Sequence, residues 1–212
     1  MNAIKKSDLR KNKILDVAEA MFIEKGYEHT TINDILNATE IAKGSLYYYY
    51  KSKEDVLDGL IKRRGDTAIE SASQIAGAGD LSAQEKILRV MLSQKPSNEQ
   101  QRKLTADLEK SSNGQMFLKS LSDIILRLAP VFQGIIEQGV SEGVFATPYP
   151  LESAEILLAA AHSLFDNGDL AWTGEERMRK MSALILTIER TLGAAEGSLS
   201  ELARLFMAEM GG

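Results

Sequence analysis

The residues of this chain best suited to contact a partner are small, basic and aromatic side chains between positions 43 and 53. Lys43 and Lys53 bracket a run of hydroxyl and aromatic groups that begins at Ser45. Gly44 carries no side chain, so the backbone of a partner could approach closely there. Cations and hydroxyls bind phosphate oxygens, and polar side chains read base edges in a DNA groove. The run therefore predicts a nucleic-acid contact.

Two short helices and a turn are predicted to position these groups. Ile32, Ile35 and Leu36 have the i, i+3, i+4 spacing of one buried helix face, and burial resumes at Ile41 and Leu46 after an interruption. A helix-turn-helix of this kind places its second helix in the major groove. The alternative is that the aromatic run forms a strand or part of a core. Helical patterns on both sides and the flanking lysines favour the helix.

Several short motifs occur in order in this part of the chain: Gly26-Tyr27, Thr30-Thr31, Ile32 and Ile35, Lys43-Gly44-Ser45-Leu46-Tyr47-Tyr48 and Ser52-Lys53-Glu54-Asp55. Together they resemble the N-terminal signature of the TetR family of bacterial transcriptional regulators. The chain departs from that signature in having Glu40-Ile41-Ala42 where the family usually has Gly-Val-Ser, and Tyr50 where it usually has Phe. Losing the glycine removes an easy left-handed turn residue, and losing the serine removes a hydroxyl cap.

The resemblance implies an all-α fold in which a three-helix, helix-turn-helix DNA-binding domain (residues 1–62) precedes a helical effector-binding and dimerisation domain (residues 63–212). It also implies a homodimeric repressor that leaves a palindromic double-stranded operator when a small molecule binds. The alternative is an architectural or nucleoid-associated DNA-binding protein without an effector. The residues predicted to contact DNA are Thr31, Lys43, Gly44, Ser45, Tyr47, Tyr48 and Lys53.

Composition argues against enzyme classes. The 212 residues include no cysteine and two histidines, so thiolate chemistry and a histidine-rich metal site are excluded, and no nucleophile or cofactor motif occurs at a credible spacing. We expect no catalytic residue, no cofactor and no metal. Neither a membrane span nor a secretory peptide is predicted, which places the protein in the cytoplasm. The net charge is −5, yet residues 1–64 hold 12 Lys+Arg against 10 Asp+Glu, or +2. A mildly basic end on an acidic body suits DNA binding at one end.

The C-terminal two thirds show long apolar periodicity, which Pro130 should kink or split. A stripe of apolar residues late in the chain, with small residues before it, predicts a dimer interface on family grounds, while the same stripe suits an intramolecular core. The predicted interface residues are Ala159, Ser163, Met178, Met181, Ile185 and Ile188.

A mainly apolar effector is predicted, because the side chains expected to enclose it carry little charge. Packing is the alternative role of the histidine and the tryptophan among them. The predicted pocket residues are Met91, Phe117, Leu121, His162, Phe165 and Trp172. Residues 198–210 are predicted to form an extra short helix.

Overall fold

The computed structural model of the chain describes residues 3–94, 114–165, 172–201 and 204. Regular structure in these residues is helical, and they contain no strand, so the all-α prediction is confirmed. The described helices, numbered in chain order, are α1 (Ala3–Lys25), α2 (Ile32–Thr39), α3 (Lys43–Tyr49), α4 (Lys53–Ala76), α5 (Ala83–Ser93), α6 (Gly114–Ser141), α7 (Pro150–Phe165) and α8 (Gly174–Leu192).

Two compact units divide the chain, and the division lies between Asp66 and Thr67, inside α4. The first unit contains α1 to α3 and the start of α4, which together form the helix-turn-helix domain. The second unit contains the rest of α4 and α5 to α8. The functional boundary that the sequence predicts after Lys62 falls in the same helix. No helix in the described part of the chain combines the length and apolar character that a membrane span requires.

The first unit is held together by apolar side chains from each of its helices. Ile14, Ala18 and Phe22 of α1 lie at the spacing of one helix face and are fully buried. Ile35 of α2 and Leu46 of α3 are also 0% exposed. Burying a large apolar side chain stabilises a fold by about 1.5–3 kcal/mol. Because Leu46 alone is buried in α3, the other side chains of that helix are available to a partner.

The turn between α2 and α3 has a left-handed residue without being glycine. Glu40 has φ 55° and ψ 24°, and among the described residues other than glycine it is the one with a positive φ. This is the position at which the resemblance leads one to expect glycine. Left-handed backbone costs a residue with a side chain roughly 1–2 kcal/mol. The turn nevertheless keeps this geometry with glutamate, and not glycine, at position 40.

The second unexpected residue, Tyr50, has a buried hydroxyl group. Its side chain is 4% exposed, and within the described part of the chain the hydroxyl has no hydrogen-bond partner. Gly59 makes room for the ring, because a Cβ atom there would lie 2.7 Å from Cε1 and 2.9 Å from the hydroxyl oxygen. An unpaired buried hydroxyl costs roughly 1–3 kcal/mol. Burial also raises the pKa of Tyr50 from 10.0 to about 12.

Tyr50→Phe is therefore expected to increase the free energy of unfolding by about 1 kcal/mol at neutral pH. The unfolded chain ionises this phenol near pH 10, whereas the folded protein keeps it neutral to about pH 12. The stabilisation from the neutral phenol is complete below pH 10 and is lost as the pH rises toward 12. Urea unfolding should show that the free energy of unfolding falls less between pH 8 and pH 11 in Tyr50→Phe than in the wild type. The control is Tyr48→Phe, because the Tyr48 side chain is 80% exposed. An equal fall in the free energy of unfolding at pH 11 in the wild type and both variants would contradict the role given to the buried Tyr50 phenol.

The second unit has one apolar core to which the end of α4 and helices α5 to α8 contribute. Helix α6 packs against α5 and α7, and α7 packs against α8. The buried members of this core are Ala72, Ala83, Ile87, Val90, Leu128, Ala129, Phe132, Ile135, Ile136, Phe145, Ala154, Met181, Leu184, Ile185, Ile188, Leu192 and Leu199. These packing contacts support the helices that the sequence periodicity predicts.

The sequence predicts a kink or a split at Pro130; helix α6 continues through this residue, so it is not split there. A proline inside a helix removes one backbone hydrogen bond and costs about 3 kcal/mol or more. Pro130 itself is exposed, while Leu128, Ala129 and Phe132 beside it are buried in the core. Burial on both sides of the proline holds the helix together across it.

A lysine is buried within the second unit and is paired there. The Lys86 side chain is 5% exposed, and its Nζ donates hydrogen bonds to the carbonyl of Ala76 at 2.7 Å and to Oε1 of Gln138 at 2.6 Å. Gln138 donates in turn to Glu142 at 2.5 Å, and Glu142 accepts from the backbone amide of Ala83 at 3.0 Å. A cation at the carboxyl end of α4 also suits the helix dipole. This network joins α4, α5 and α6.

Candidate nucleic-acid interface

Helix α2 begins at a capping box. Thr31 is its N-cap, and its hydroxyl accepts a hydrogen bond from the Asp34 amide at 3.1 Å and donates to the Asp34 carboxylate at 2.7 Å. The bonds from the Thr31 hydroxyl and backbone amide lower the pKa of Asp34. Thr31 is exposed, whereas Thr30 is fully buried and donates to the carbonyl of Gly26 at 2.9 Å. The capping box holds Thr31 at the exposed start of the helix.

Helix α3 presents most of its surface to solvent. Lys43 and Gly44 in its first turn are exposed, and Ser45 is half-buried. The side chain of Tyr48 is 80% exposed, and its ring lies edge-on to Tyr49 at 5.1 Å between centroids. The edge contact restricts the Tyr48 ring, while its exposed hydroxyl points away from the protein's interior. These residues form one exposed face on a helix anchored by its buried leucine.

Gly44 has no packing role in the protein itself. A Cβ atom at this position would meet nothing within 4 Å. Glycine inside a helix costs about 1 kcal/mol relative to alanine, so the chain loses stability here without an internal gain. Close approach of a partner's backbone is the physical use that remains for it.

Tyr47 and Lys43 lie near one another on this helix. The Lys43 ammonium is 5.9 Å from the centroid of the Tyr47 ring, and the tyrosine is half-buried. Five of the predicted contact residues, Lys43, Gly44, Ser45, Tyr47 and Tyr48, thus lie within α3, and Thr31 precedes α2.

Lys53 has a partner within the chain that the sequence did not predict. Its Nζ donates a hydrogen bond to the carbonyl of Tyr27 at 2.9 Å and lies 4.1 Å from the centroid of the Tyr27 ring. A lysine ammonium has three donors, so other donors are left for a phosphate. The two residues are 26 positions apart in sequence, which explains why no local sequence pattern reveals this contact.

Two of the predicted effector-pocket residues, Met91 and Phe165, pack against the core of the second unit. Met91, Leu121 and Phe165 are half-buried, and His162 is 8% exposed. Trp172 is half-buried, with its indole nitrogen donating to the carbonyl of Leu164 at 3.0 Å and Lys180 over its ring at 3.9 Å. The side chain of Phe117 lies outside the described residues. Trp172 thus has a packing role, in which it joins the end of α7 to the start of α8.

The predicted interface residues fall into two groups. Ala159 and Ser163 on α7 are half-buried, and Met178 on α8 is 42% exposed. The other three face inward within the same unit: Met181, Ile185 and Ile188 are 7%, 5% and 7% exposed.

Met181, Ile185 and Ile188 belong to the core of the second unit, which is the alternative role that the sequence leaves open for this stripe. Ile156 on α7, which the sequence analysis did not single out, is 65% exposed. An apolar stripe does not reveal which of its members the chain itself covers.

The end of α8 is capped at Gly193, which has a φ of 63°. Beyond it, the amides of Gly197 and Leu199 donate hydrogen bonds of 3.0 Å and 2.8 Å to the buried carboxylate of Glu189 in α8. The helix predicted over residues 198–210 lies largely outside the described residues.

Two family models match this chain. The model described as bacterial regulatory proteins of the tetR family matches residues 14–60, and the model described as a tetracyclin repressor-like C-terminal domain matches residues 95–187. The first match includes α2 and α3, with their exposed face. Together the two models cover segments from both units of the structure.

Named relatives and a solved structure agree with these matches. The HTH-type transcriptional repressor KstR2 of Rhodococcus jostii is 25% identical over 147 residues, which is 68% of this chain and 72% of that protein. The biofilm operon negative transcriptional regulator IcaR of Staphylococcus epidermidis is 50% identical over 46 residues, only 22% of this chain and 25% of that protein. A TetR/AcrR-family transcriptional regulator from Thermobifida fusca has a similar structure, with a TM-score of 0.58, 25% identity, and coverage of 83% of this chain and 96% of that one.

Proposed function

This chain belongs to the TetR family of bacterial transcriptional regulators, and we propose that it is a homodimeric repressor that binds a palindromic operator and is released by a small molecule. The observation that carries the proposal is α3, which buries Leu46 and exposes Lys43, Gly44 and Tyr48. The printed names of the two relatives, repressor and negative regulator, favour repression over activation. A DNA-binding regulator of this kind works in the cytoplasm.

Two kinds of DNA contact follow from the geometry of the first unit. Lys43, Ser45 and Tyr48 occupy α3, which enters the major groove in a helix-turn-helix complex, so we assign them to base edges. Thr31 and Lys53 begin α2 and α4, where a helix dipole attracts an anion, so we assign them to phosphates. Tyr47 is assigned to phosphate because it occupies the position at which this family usually has a tyrosine that contacts the DNA backbone. Gly44 allows the DNA to approach α3 closely. In this proposal residues 1–62 bind DNA, while residues 63–212 bind the effector and form the dimer.

The effector is proposed to be mainly apolar. Met91, Leu121 and Phe165 are half-buried and carry no charge, and Met91 and Phe165 pack against the core of the second unit. A ligand shifts a conformational equilibrium only if it prefers one state, so the effector must bind better to the form that does not bind DNA. A neutral hydrophobic compound that stabilises the protein thermally and weakens operator binding supports this. Stabilisation by strongly charged metabolites alone contradicts it.

Footprinting of the purified protein on genomic DNA, followed by binding titrations in a salt series, tests the proposed function. We expect a few defined sites whose affinity falls as salt rises, since phosphate contacts release counterions. Half-site centres should lie about 34 to 36 Å or a multiple of this apart. Protection spread over many unrelated sequences, with no compound that releases the DNA, would favour the architectural alternative instead.

We expect a dimer in solution without DNA, formed through exposed apolar residues of α7 and α8. Ile156 and Met178 are 65% and 42% exposed, while Ala159 and Ser163 are small enough for helices to approach closely. The double variant Ile156→Asp with Met178→Asp should sediment as a monomer, because forming the dimer would bury two unpaired carboxylates in the interface. Leu126→Asp, at a leucine of α6 that is 75% exposed, is the matched control and should remain dimeric. A wild-type species of 23.3 kDa at micromolar concentration would contradict this prediction.

A further inference from the structure

Four charged side chains join α1 to α4 within the first unit. The guanidinium of Arg63 donates through Nη1 to the carboxylate of Asp16 at 2.6 Å and through Nη2 to the carboxylate of Glu19 at 2.7 Å. Arg64 donates through its own Nη2 to the other carboxylate oxygen of Glu19 at 2.9 Å. Glu19 therefore binds two arginines, one with each oxygen. We call the ion pairs among Asp16, Glu19, Arg63 and Arg64 the α1–α4 joint.

The α1–α4 joint continues a tight apolar contact between the same two helices. A Cβ atom on Gly59 of α4 would lie 3.1 Å from Cδ2 of Leu15 in α1, so the two helices approach closely there. Leu15 is 2% exposed. Glu19 follows Leu15, and Arg63 follows Gly59, by about one helical turn, so the ion pairs lie next to the apolar contact on both helices. Two successive layers of contact therefore fix the position of α1 on α4.

Exposure distinguishes the members of the joint. The side chains of Glu19, Arg63 and Arg64 are 24%, 27% and 30% exposed, whereas the side chain of Asp16 is 69% exposed. Water and salt screen an exposed ion pair more than a partly buried one. Glu19 and Arg63 therefore contribute most to the joint, and Asp16 contributes little.

The way in which α1 is held on α4 affects two of the residues assigned to DNA. Helix α1 packs against α2, which begins after Thr31, while α4 begins at Lys53. The proposed function assigns both of these residues to phosphates. The position of α1 on α4 therefore sets the spacing between the two phosphate contacts.

We propose that Glu19 and Arg63 are positioning residues for DNA binding, which hold α1 on α4 so that Thr31 and Lys53 reach their phosphates together. This inference rests on the proposed function. The charge of Glu19 alone repels DNA. Its place in the joint makes it favourable for binding, because an ordered first unit loses less conformational freedom when it docks.

The sign of the effect of Glu19→Ala separates the joint from simple electrostatics. Repulsion alone predicts tighter operator binding when an anion is removed. Loss of the joint predicts binding about tenfold weaker, as expected if the form with α1 seated on α4 falls to about a tenth of the molecules. Because no phosphate contact is lost, the variant should keep the wild-type slope of log affinity against log salt.

Arg63→Lys tests the same joint without a change of charge. Lysine lacks the planar fork with which Arg63 spans Asp16 and Glu19, so operator binding should weaken by about fivefold. In the Glu19→Ala background this substitution should cost less affinity than in the wild type, as expected for two partners in one bond. Asp16→Asn should stay within about twofold of the wild type, because solvent already screens that pair.

Glu24→Ala is the matched control, because Glu24 is an exposed acid on the same helix. Its removal should leave operator binding unchanged or make it slightly tighter. Equal affinities of Glu19→Ala and Glu24→Ala, or additive losses for Glu19→Ala and Arg63→Lys, would overturn the proposal. Tighter binding of Glu19→Ala with a steeper salt slope would also overturn it, because DNA would then recruit the arginines that Glu19 binds.

Amide hydrogen exchange without DNA tests the joint apart from the proposed function. Glu19→Ala and Arg63→Lys should speed exchange several-fold at residues 14–22 of α1, while Glu24→Ala should not. Unchanged exchange in the first two variants overturns the joint even if DNA binding is altered. If the wild type binds operator no better than random DNA, the proposed function fails, while the exchange rates still decide whether Glu19 and Arg63 hold α1 on α4.

Discussion

Tyr48→Ala is expected to weaken binding to the operator by about 1 to 3 kcal/mol while leaving binding to random DNA almost unchanged. The reason is that Tyr48 is 80% exposed on α3, where side chains reach base edges in the major groove. Ser45→Ala should act in the same direction. Base contacts carry sequence information, so their loss narrows the gap between operator and random DNA without changing the salt dependence.

Lys53→Ala provides the contrast within the same unit. It should weaken binding to both DNAs and flatten the plot of log affinity against log salt by roughly one unit, as expected for one lost phosphate contact. Lys53→Ala also removes the hydrogen bond to the Tyr27 carbonyl, and any loss of DNA affinity from this source should not depend on salt. Titrations of the wild type and the variants on both DNAs, at several salt concentrations, measure all of these quantities.

Two results would show that these roles are assigned wrongly. One is that Tyr48→Ala lowers the affinity for operator and random DNA equally, which is the behaviour of a phosphate contact. The other is that Lys53→Ala leaves binding to random DNA unchanged. If none of the three variants alters DNA binding, then α3 is not the helix that reads DNA.

Local patterns were enough to predict the two short helices of the first unit. Apolar residues at i, i+3 and i+4 depend only on the helix period, and such a face is buried wherever the helix packs. Capping boxes are equally local: Ser82 accepts from the amide of Glu85 at 3.3 Å, and Thr173 accepts from the amide of Glu176 at 3.2 Å. The exposed face of α3 follows from the single apolar residue within a polar and aromatic run.

Contacts between distant parts of the chain could not be predicted in this way. The stripe on α8 has the right period for a core or an interface, and only the packing of the second unit shows that Met181, Ile185 and Ile188 are covered by their own chain. The sequence predicts a DNA contact for Lys53 but not its hydrogen bond to Tyr27, which lies 26 positions earlier in the chain. Pro130 predicted a kink or a split, and burial on both sides of it is compatible with one continuous helix. In each case a tertiary contact decides between two outcomes that the local pattern allows.

The end of α6 illustrates how much such a contact contributes, because two glycines of this helix have opposite surroundings. A Cβ atom on Gly139 would lie 2.9 Å from Cγ of Phe145 and closer still to the edge of the ring, whereas a Cβ atom on Gly134 would meet nothing within 4 Å. Phe145 is 3% exposed, and its amide donates to the carbonyl of Gly139 at 3.0 Å. The ring therefore has little room to move away from an added methyl group.

Gly139→Ala is accordingly expected to lower the free energy of unfolding by about 2 to 4 kcal/mol, since overpacking outweighs the gain in helix propensity. Gly134→Ala in the same helix receives only the propensity gain and should be more stable by up to about 1 kcal/mol. Urea unfolding of both variants measures the difference. Phe145→Ala should lower the free energy of unfolding less in the Gly139→Ala background than in the wild type, because the methyl group added at position 139 occupies part of the space left by the ring. Equal stability of the two alanine variants would mean that Phe145 can leave its site freely, and that the turn after α6 does not depend on this contact.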